Sequence, residues 1–127
     1  MQDFRHIRAW QRAHALFIAI DKATRNFARR RHSNLRGQLT RAADSIGSNI
    51  VEGCGADTNK EFARFLGMSI KSANEVEFRV LEARDLDLFD QPTWQGFTDE
   101  TIEIRKMIFG YRKKILRSSR NSGPDEN

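Results

Sequence analysis

The chain has 127 residues, of which 39% are hydrophobic and 31% are charged, and a chain of this size forms one domain with a modest core. Two prolines, eight glycines and one tyrosine are too few turn and strand formers for a sheet protein, so the composition predicts an all-α fold. The longest apolar run, residues 15–20, is far shorter than the roughly 20 residues that cross a bilayer. The first residues also lack the order of a signal peptide. We therefore expect neither membrane insertion nor secretion.

Cysteine and histidine content limits the chemistry further. Cys54 is the single cysteine, so the chain forms no internal disulfide and no cysteine zinc cluster, in keeping with a cytoplasmic location. The three histidines make no His-x-x-x-His pair, a spacing that would favour a metal site on a helix. The sequence predicts no metal and no cofactor.

The net charge of +5 is unevenly distributed along the chain. Residues 1–41 carry ten basic and two acidic side chains, residues 42–104 carry five and thirteen, and residues 105–127 carry seven and two. Sixteen of the 22 basic residues are arginine, which pairs bidentately with carboxylate or phosphate. The basic ends are therefore suited either to nucleic acid or to the acidic middle of the protein itself.

The first half of the chain contains two helical patterns. Apolar residues recur at alternating steps of four and three from Ala9 to Phe27, which predicts a first helix with Asp3 as its N-cap. The same rhythm resumes from Leu35 to Glu52, and the glycine-containing segment after it is typical of a helix end. We predict a second helix over this range.

The second half contains two more. Thr58 and Glu61 have the spacing of a capping box, and an apolar stripe then continues to about Leu88 as a third helix. A loop is predicted over residues 90–96, followed by a fourth helix that has Phe97 at the start of its apolar stripe.

Short connections make consecutive helices neighbours, so the pattern predicts an antiparallel up-down-up-down four-helix bundle over residues 1–117. Residues 118–127 contain no apolar side chain. We expect them to form a disordered tail.

Two of the helices carry a second apolar stripe that one bundle core cannot cover. Leaving such side chains in water forfeits roughly 1.5 to 3 kcal/mol each, so we expect a homo-oligomer. The alternative is that broad helix faces are simply buried, with Trp10 covering the bundle end. The predicted interface residues are Ile7, Trp10, Phe17, Ile102, Phe109 and Leu116.

A polar stripe runs along the second helix and is the densest polar pattern in the chain. An unpaired buried amide costs about 1 to 3 kcal/mol, so Asn49 should bond across the bundle or between subunits. We interpret the stripe as a structural network rather than a catalytic site. Its members are Gln38, Arg41, Ser45, Asn49 and Glu52.

Residues 41–53, which read RAADSIGSNIVEG, resemble the R-A-A-x-S-I-x-x-N-I-x-E-G signature of the four-helix bundle proteins of the ribosomal RNA intervening-sequence family. The tetrad at residues 10–13 and the triplet at residues 60–62 support the resemblance. It implies a cytosolic bundle that assembles as a ring, a pentamer, without established enzymatic activity and with a suspected nucleic-acid role. The chain is also similar to the accessory bundle proteins of diversity-generating retroelements, whose basic rings bind a reverse transcriptase and nucleic acid.

Candidate nucleic-acid contacts lie at the two ends of the predicted bundle, where basic residues cluster. Phosphate contacts there would bind RNA or DNA, or an enzyme acting on them, without base specificity. In the alternative, these arginines pair with acids of the third helix, namely Glu75, Glu77, Glu82 and Asp85. The candidate residues are Arg29, Arg30, Arg31, Arg36, Lys113, Lys114, Arg117 and Arg120.

Two other functions remain open. A protein–protein adaptor without nucleic acid is compatible with the same features. A helical ribonuclease would use Arg8 and His14, whose spacing matches an arginine-then-histidine active site, although sixteen arginines make such a match easy by chance. We expect no enzymatic activity.

Overall fold

The computed structural model describes residues 2–122. A 3₁₀ turn at Phe4–His6 precedes four helices, which are α1 (Arg8–Ala23), α2 (Ser33–Cys54), α3 (Asn59–Asp85) and α4 (Gln91–Ser122). No strand occurs within these residues, and none of their helices is long and apolar enough to span a membrane. The all-α prediction is confirmed.

Contacts between facing residues show that α1 and α2 are antiparallel. Arg36, near the start of α2, binds the Asp21 carboxylate near the end of α1 at 2.8 Å. Towards the start of α1, the Trp10 indole lies against Gly47 in the second half of α2. The two helices therefore run in opposite directions along their shared length.

The other neighbours are also antiparallel. Gly53 at the end of α2 contacts Phe62 at the start of α3, and the Phe62 ring meets Tyr111 of α4 edge-on at 5.7 Å. At the far end of α3, Arg84 stacks over the Trp94 ring at the start of α4. Helix α1 packs on α4 as well as on α2. Each helix therefore has two antiparallel neighbours, as in an up-down-up-down bundle.

The predicted apolar stripes form the core. The hydroxyl of Ser69, fully buried among them, donates to the Ile46 carbonyl at 2.8 Å, so this polar side chain has its partner. The largest fully buried apolar side chains are Phe27, Ile20, Leu39, Ile46, Ile50, Leu66, Ile104, Ile108, Val76 and Val80.

The helix starts differ from the sequence predictions at two places. Asp3 caps the 3₁₀ turn, where it accepts from the Arg5 amide at 3.0 Å, and α1 begins only at Arg8. Residues 91–96 of the predicted loop are helical, because Asp90 accepts from the Thr93 amide at 2.8 Å and so caps α4. Pro92 is tolerated in this first turn because an amide there has no partner within the helix.

The helix ends differ too. Helix α1 stops at Ala23, and Phe27 is buried from the turn that follows. Helix α4 continues to Ser122, beyond the predicted boundary at residue 117. Residues 123–127 of the predicted tail lie outside the described residues.

The capping box at the start of α3 is present in half. Thr58 Oγ1 accepts from the Glu61 amide at 3.1 Å, as predicted. The Glu61 carboxylate binds Arg64 at 2.6 Å instead of reaching back to the Thr58 amide. A guanidinium one turn ahead offers this carboxylate a charged partner, and a charge-assisted bond is the stronger of the two.

Two turns contain a residue with left-handed backbone. Arg31 has a φ of 66°, and the His32 amide beside it donates to the Phe27 carbonyl at 2.8 Å. Asp87 has a φ of 60° in the corresponding turn after α3. Both turns have the hydrogen bonds of a Schellman motif, in which glycine is the preferred left-handed residue.

Replacing Arg31 with glycine should therefore stabilise the fold. A side chain with left-handed backbone costs about 1 kcal/mol, so we expect Arg31→Gly to raise the free energy of unfolding by about that amount in urea titrations. Arg31→Ala removes the same charge but keeps the β-carbon. If the alanine variant gains as much as the glycine variant, charge rather than backbone strain is responsible.

Candidate nucleic-acid interface and assembly surfaces

The turn between α1 and α2 presents three consecutive exposed arginines. Arg30 donates to the Asp87 carbonyl at 2.9 Å, which ties this turn to the turn between α3 and α4. Arg29 and Arg31 make no ion pair within residues 2–122. The positive charge of this turn, which we call the arginine turn (residues 29–31), is thus not neutralised by a carboxylate in the described chain.

Arg36 does not belong with these residues. Its guanidinium binds the Asp21 carboxylate at 2.8 Å and is about two-thirds buried. A charge already compensated by a neighbour contributes little to phosphate binding. The sequence placed Arg36 among the nucleic-acid contacts because pairing to the preceding helix cannot be seen from spacing alone.

The acids of α3 are paired with other arginines. Arg79 binds Glu82 at 2.9 Å and lies 3.5 Å from Glu75. The Glu77 and Asp85 carboxylates pair with guanidinium groups of Arg105 and Arg84, at 2.6 and 3.0 Å. The alternative in which α3 neutralises the arginine turn is therefore not what the structure shows.

A second basic cluster lies at the opposite end of the bundle. Lys113, Lys114 and Arg117 are exposed near the end of α4, and Arg112 beside them donates to the Ala63 carbonyl at 2.8 Å. That contact places this cluster by the start of α3, away from the arginine turn, as the two-pole prediction requires. The side chain of Arg120 lies outside the described residues.

The polar stripe of α2 forms only part of the predicted network. The hydroxyls of Ser45 and Ser72 are 2.8 Å apart and join α2 to α3. Asn49 donates to the Ser45 carbonyl at 2.9 Å and to the Ser45 hydroxyl at 3.0 Å, so its bonds in the described chain are within its own helix and not directly across the bundle. The predicted bond between subunits stays a prediction. Because Asn49 is only half-buried, its amide needs no distant partner.

Of the remaining members of that stripe, two lie beside Ser45 and one lies apart. Gln38 and Arg41 line a shallow groove between α2 and α3 beside Arg79. Glu52 lies in a different groove, between α1 and α2. The spacing places all five on one stripe, and only Glu52, which lines the groove towards α1, is separate from the other four.

The predicted interface residues divide into buried and accessible ones. Ile7 is 7% exposed and belongs to the core, so it is not an interface residue; the turn before α1 folds it inward. Trp10 and Phe17 are half-buried and line the groove between α1 and α2. Ile102 and Leu116 are half-buried on α4, and Phe109 is 53% exposed.

Phe78 on α3 is an exposed apolar residue that the sequence analysis missed. Its side chain is 51% exposed. It lies outside the apolar stripe of its helix and has no repeat one heptad away, so no periodic signal marked it.

Arg8 and His14 are not brought together. His14 stacks on the Trp10 ring at 5.0 Å in the groove between α1 and α2. Arg8 lines a separate hollow beside Tyr111. No group of three potential metal ligands occurs within residues 2–122.

Cys54 is a buried residue at the end of α2. Burial raises the pKa of its thiol, and the Asp3 carboxylate acts in the same direction, so little reactive thiolate forms at neutral pH.

We expect a disulfide reagent to modify Cys54 at least about tenfold more slowly in the folded protein than in urea. Cys54→Ser/Asp57→Cys moves the thiol to an exposed turn and should react at the unfolded rate. Equal rates for both folded proteins would contradict the burial.

The comparisons with known proteins agree with this fold. The family model described as 23S rRNA-intervening sequence protein matches residues 5–110. The chain belongs to this family. A crystal structure of a protein of unknown function from the S23 ribosomal protein family of Bacteroides thetaiotaomicron is 20% identical, with a TM-score of 0.77, and covers 83% of this chain and 95% of that one. This likeness shows the fold alone. No curated protein matches the chain, and its similarity to retroelement accessory proteins stays a prediction.

Proposed function

We propose that this intervening-sequence family protein is a non-enzymatic cytoplasmic scaffold that assembles as a ring of four-helix bundles, with five subunits as the resemblance implies. Its basic ends bind RNA or DNA, or an enzyme that acts on them, without sequence specificity. The family description names a segment of 23S rRNA, which makes RNA the first ligand to test.

The observation that carries the nucleic-acid part is the unpaired arginine turn. The three arginines are exposed and make no ion pair in the described residues. Arg30 donates only to a carbonyl, that of Asp87, and the acids of α3 are paired with other arginines. Arg31 also occupies a left-handed position that glycine would fill at lower cost. A charged side chain kept at a strained position favours a functional role over a structural one.

The shape of this surface favours contacts to phosphates over contacts to bases. Guanidinium groups on a turn readily reach the phosphate oxygens of a nucleic-acid backbone. Contacts to phosphates carry no sequence information. Assembly would present one copy of the turn per subunit. Several copies on one face would raise the apparent affinity through multivalency.

Nucleic-acid binding measured against salt tests the proposal. Each phosphate neutralised releases counterions, so about four contacts predict an affinity loss of about 100-fold between about 50 and 200 mM salt. The probes are fluorescent single-stranded RNA and duplex DNA of arbitrary sequence, followed by polarisation. Similar affinities for unrelated sequences support binding without specificity, and a flat or absent response refutes it.

The same experiments address the other candidate functions. If light scattering gives an oligomer that binds no nucleic acid, the protein is an adaptor. Intact RNA after long incubation supports the absence of enzymatic activity, in line with the separate positions of Arg8 and His14. RNA cleavage that is lost in His14→Ala would overturn it.

A further inference from the structure

Two opposite faces of the bundle have complementary shapes. The α4 ridge, formed by Lys106, Phe109 and Lys113, projects an exposed phenyl ring with a lysine on each side. Lys113 Nζ lies 5.6 Å from the centre of this ring. The ridge is therefore an apolar knob with a positive charge one turn away in each direction.

The groove between α1 and α2, which we call the α1–α2 groove, is a matching hollow. Its floor is Gly47, and the half-buried Trp10 and Phe17 form its apolar wall. Asp44 and Glu52 stand at its two ends, exposed and without an ion pair in the described chain. His14, stacked on Trp10, and Ser48 also line it. The groove is thus a hole with an apolar wall and a negative charge at each end.

The charges on the two surfaces have similar spacings along their helices. At 1.5 Å per residue, Lys106 and Lys113 are about 10.5 Å apart along α4, and Asp44 and Glu52 are about 12 Å apart along α2. Phe109 lies near the middle of the first pair. A lysine can therefore meet a carboxylate at both ends while the phenyl ring enters the hole.

The height of the groove along the bundle is set by a contact between α2 and α3. The Ser69 hydroxyl donates to the Ile46 carbonyl, and the Ser45 hydroxyl meets that of Ser72. Since the two helices are antiparallel, Gly47 is level with residues 69 and 70 of α3.

The height of the ridge follows from contacts between α3 and α4. Arg105 binds the Asn74 side chain at 2.9 Å, and Arg112 Nε lies beside Gly67. Between these two contacts, Phe109 is level with residue 70 of α3. The knob and the hole are therefore at the same height, although they are on different helices.

The equal heights of the ridge and the groove matter because the two surfaces lie on opposite faces of the bundle. Helix α3 packs against α2 and α4, and α1 does so from the other side, so the α1–α2 face and the α3–α4 face point away from each other. Phe109 is about 40° further round α4 than Arg105, at about 100° per residue, on the side of α3. A contact between such surfaces is head-to-tail. Equal heights mean that each copy is added without a shift along the axis, and such a contact closes into a ring when the rotation from one copy to the next divides a full turn.

We propose that the α4 ridge of one subunit docks into the α1–α2 groove of the next subunit, with Phe109 against Gly47 and Trp10. Helices α2 and α4 run in the same direction, so copies standing side by side place Lys106 opposite Asp44 and Lys113 opposite Glu52. The inference rests on the oligomer of the proposed function and adds its contact. Because knob and hole are level, the contact adds no shift along the bundle axis, which a closed ring requires.

Charge reversal measured by light scattering tests this contact. Lys106→Glu/Lys113→Glu and Asp44→Lys/Glu52→Lys each place like charges across the contact, and we expect both variants to fall to the monomer mass of 14.7 kDa. The variant with all four substitutions restores opposite charges and should regain the wild-type mass. The control, Lys22→Glu/Lys60→Glu, reverses two exposed charges outside both surfaces and should leave the mass unchanged. Circular dichroism confirms that each variant is folded.

A mixing experiment tests the head-to-tail geometry. Phe109→Glu damages only the ridge and Ser48→Arg damages only the groove, so each alone should be monomeric. Mixed in equal amounts, they retain one intact contact and should form a dimer of one chain of each kind. A mixture that stays monomeric would overturn the pairing.

The outcomes separate this inference from the proposed function. If the wild-type protein is an oligomer and both charge-reversed double variants remain one, the ridge and the groove are not the contact, while the scaffold proposal survives. A wild-type particle of 14.7 kDa contradicts the oligomer itself.

Discussion

Replacing Phe27 with alanine should lower the free energy of unfolding by about 3–5 kcal/mol, the cost of a cavity left by a buried aromatic ring. Phe27 is fully buried, and its ring lies 5.5 Å from Phe89, which in turn lies 5.4 Å from Phe97. Its carbonyl also accepts from the Arg30 and His32 amides. The ring therefore anchors the turn that presents the arginines.

Urea titration followed by circular dichroism measures this loss at fixed protein concentration. Phe78→Ala is the control, because it removes the same ring from a surface position and should change stability by about 0.5 kcal/mol or less. A similar loss in both variants would mean that the ring of Phe27 is not a core residue. Phe27→Ala should also weaken nucleic-acid binding, because loss of the ring loosens the arginine turn.

Replacing Gly53 with alanine should cost about 1–3 kcal/mol through overpacking. A β-carbon at this position would lie 2.6 Å from Phe62 Cδ1 and 3.2 Å from Phe65 Cβ. The Phe62 ring is buried and meets Tyr111 edge-on, so it cannot move away freely. The clash exceeds the gain in helix propensity that alanine brings elsewhere.

Gly96→Ala is the matched comparison for this variant. It adds the same methyl group to α4 with nothing within 4 Å, so propensity alone acts and stability should rise by about 0.5–1 kcal/mol. The thermal or urea midpoints of the two variants should therefore shift in opposite directions. A stabilised Gly53→Ala protein would contradict the close approach of α2 and α3.

Periodicity predicted the four helices because each buries one continuous stripe, and the buried residues Leu39, Leu66 and Ile108 follow that rhythm. It failed where the chain leaves the helix. Phe27 continues the rhythm although it lies in a turn, and Asp90 and Pro92 resemble a loop although they begin α4. A cap and a turn contain the same residue types, so composition alone does not separate them.

The candidate site was harder to predict because it depends on which charged side chains form ion pairs in the folded protein. Arg29 and Arg36 are alike in sequence, but only Arg36 reaches a carboxylate, that of Asp21. Likewise Ile7 and Phe109 both lie outside the main apolar stripes, but the turn before α1 buries the first and leaves the second exposed. Such differences arise from packing between helices, which the spacing within one helix does not encode.

The most direct test compares RNA binding by two variants that lose the same charge. Arg29→Ala/Arg30→Ala/Arg31→Ala removes the arginine turn, while Arg25→Ala/Arg64→Ala/Arg84→Ala removes three arginines that are paired with Asp21, Glu61 and Asp85. The first should bind arbitrary RNA more than about tenfold more weakly at low salt and reduce the slope of log affinity against log salt by about three, with the second close to wild type. Equal losses in the two variants would contradict a specific role for the arginine turn.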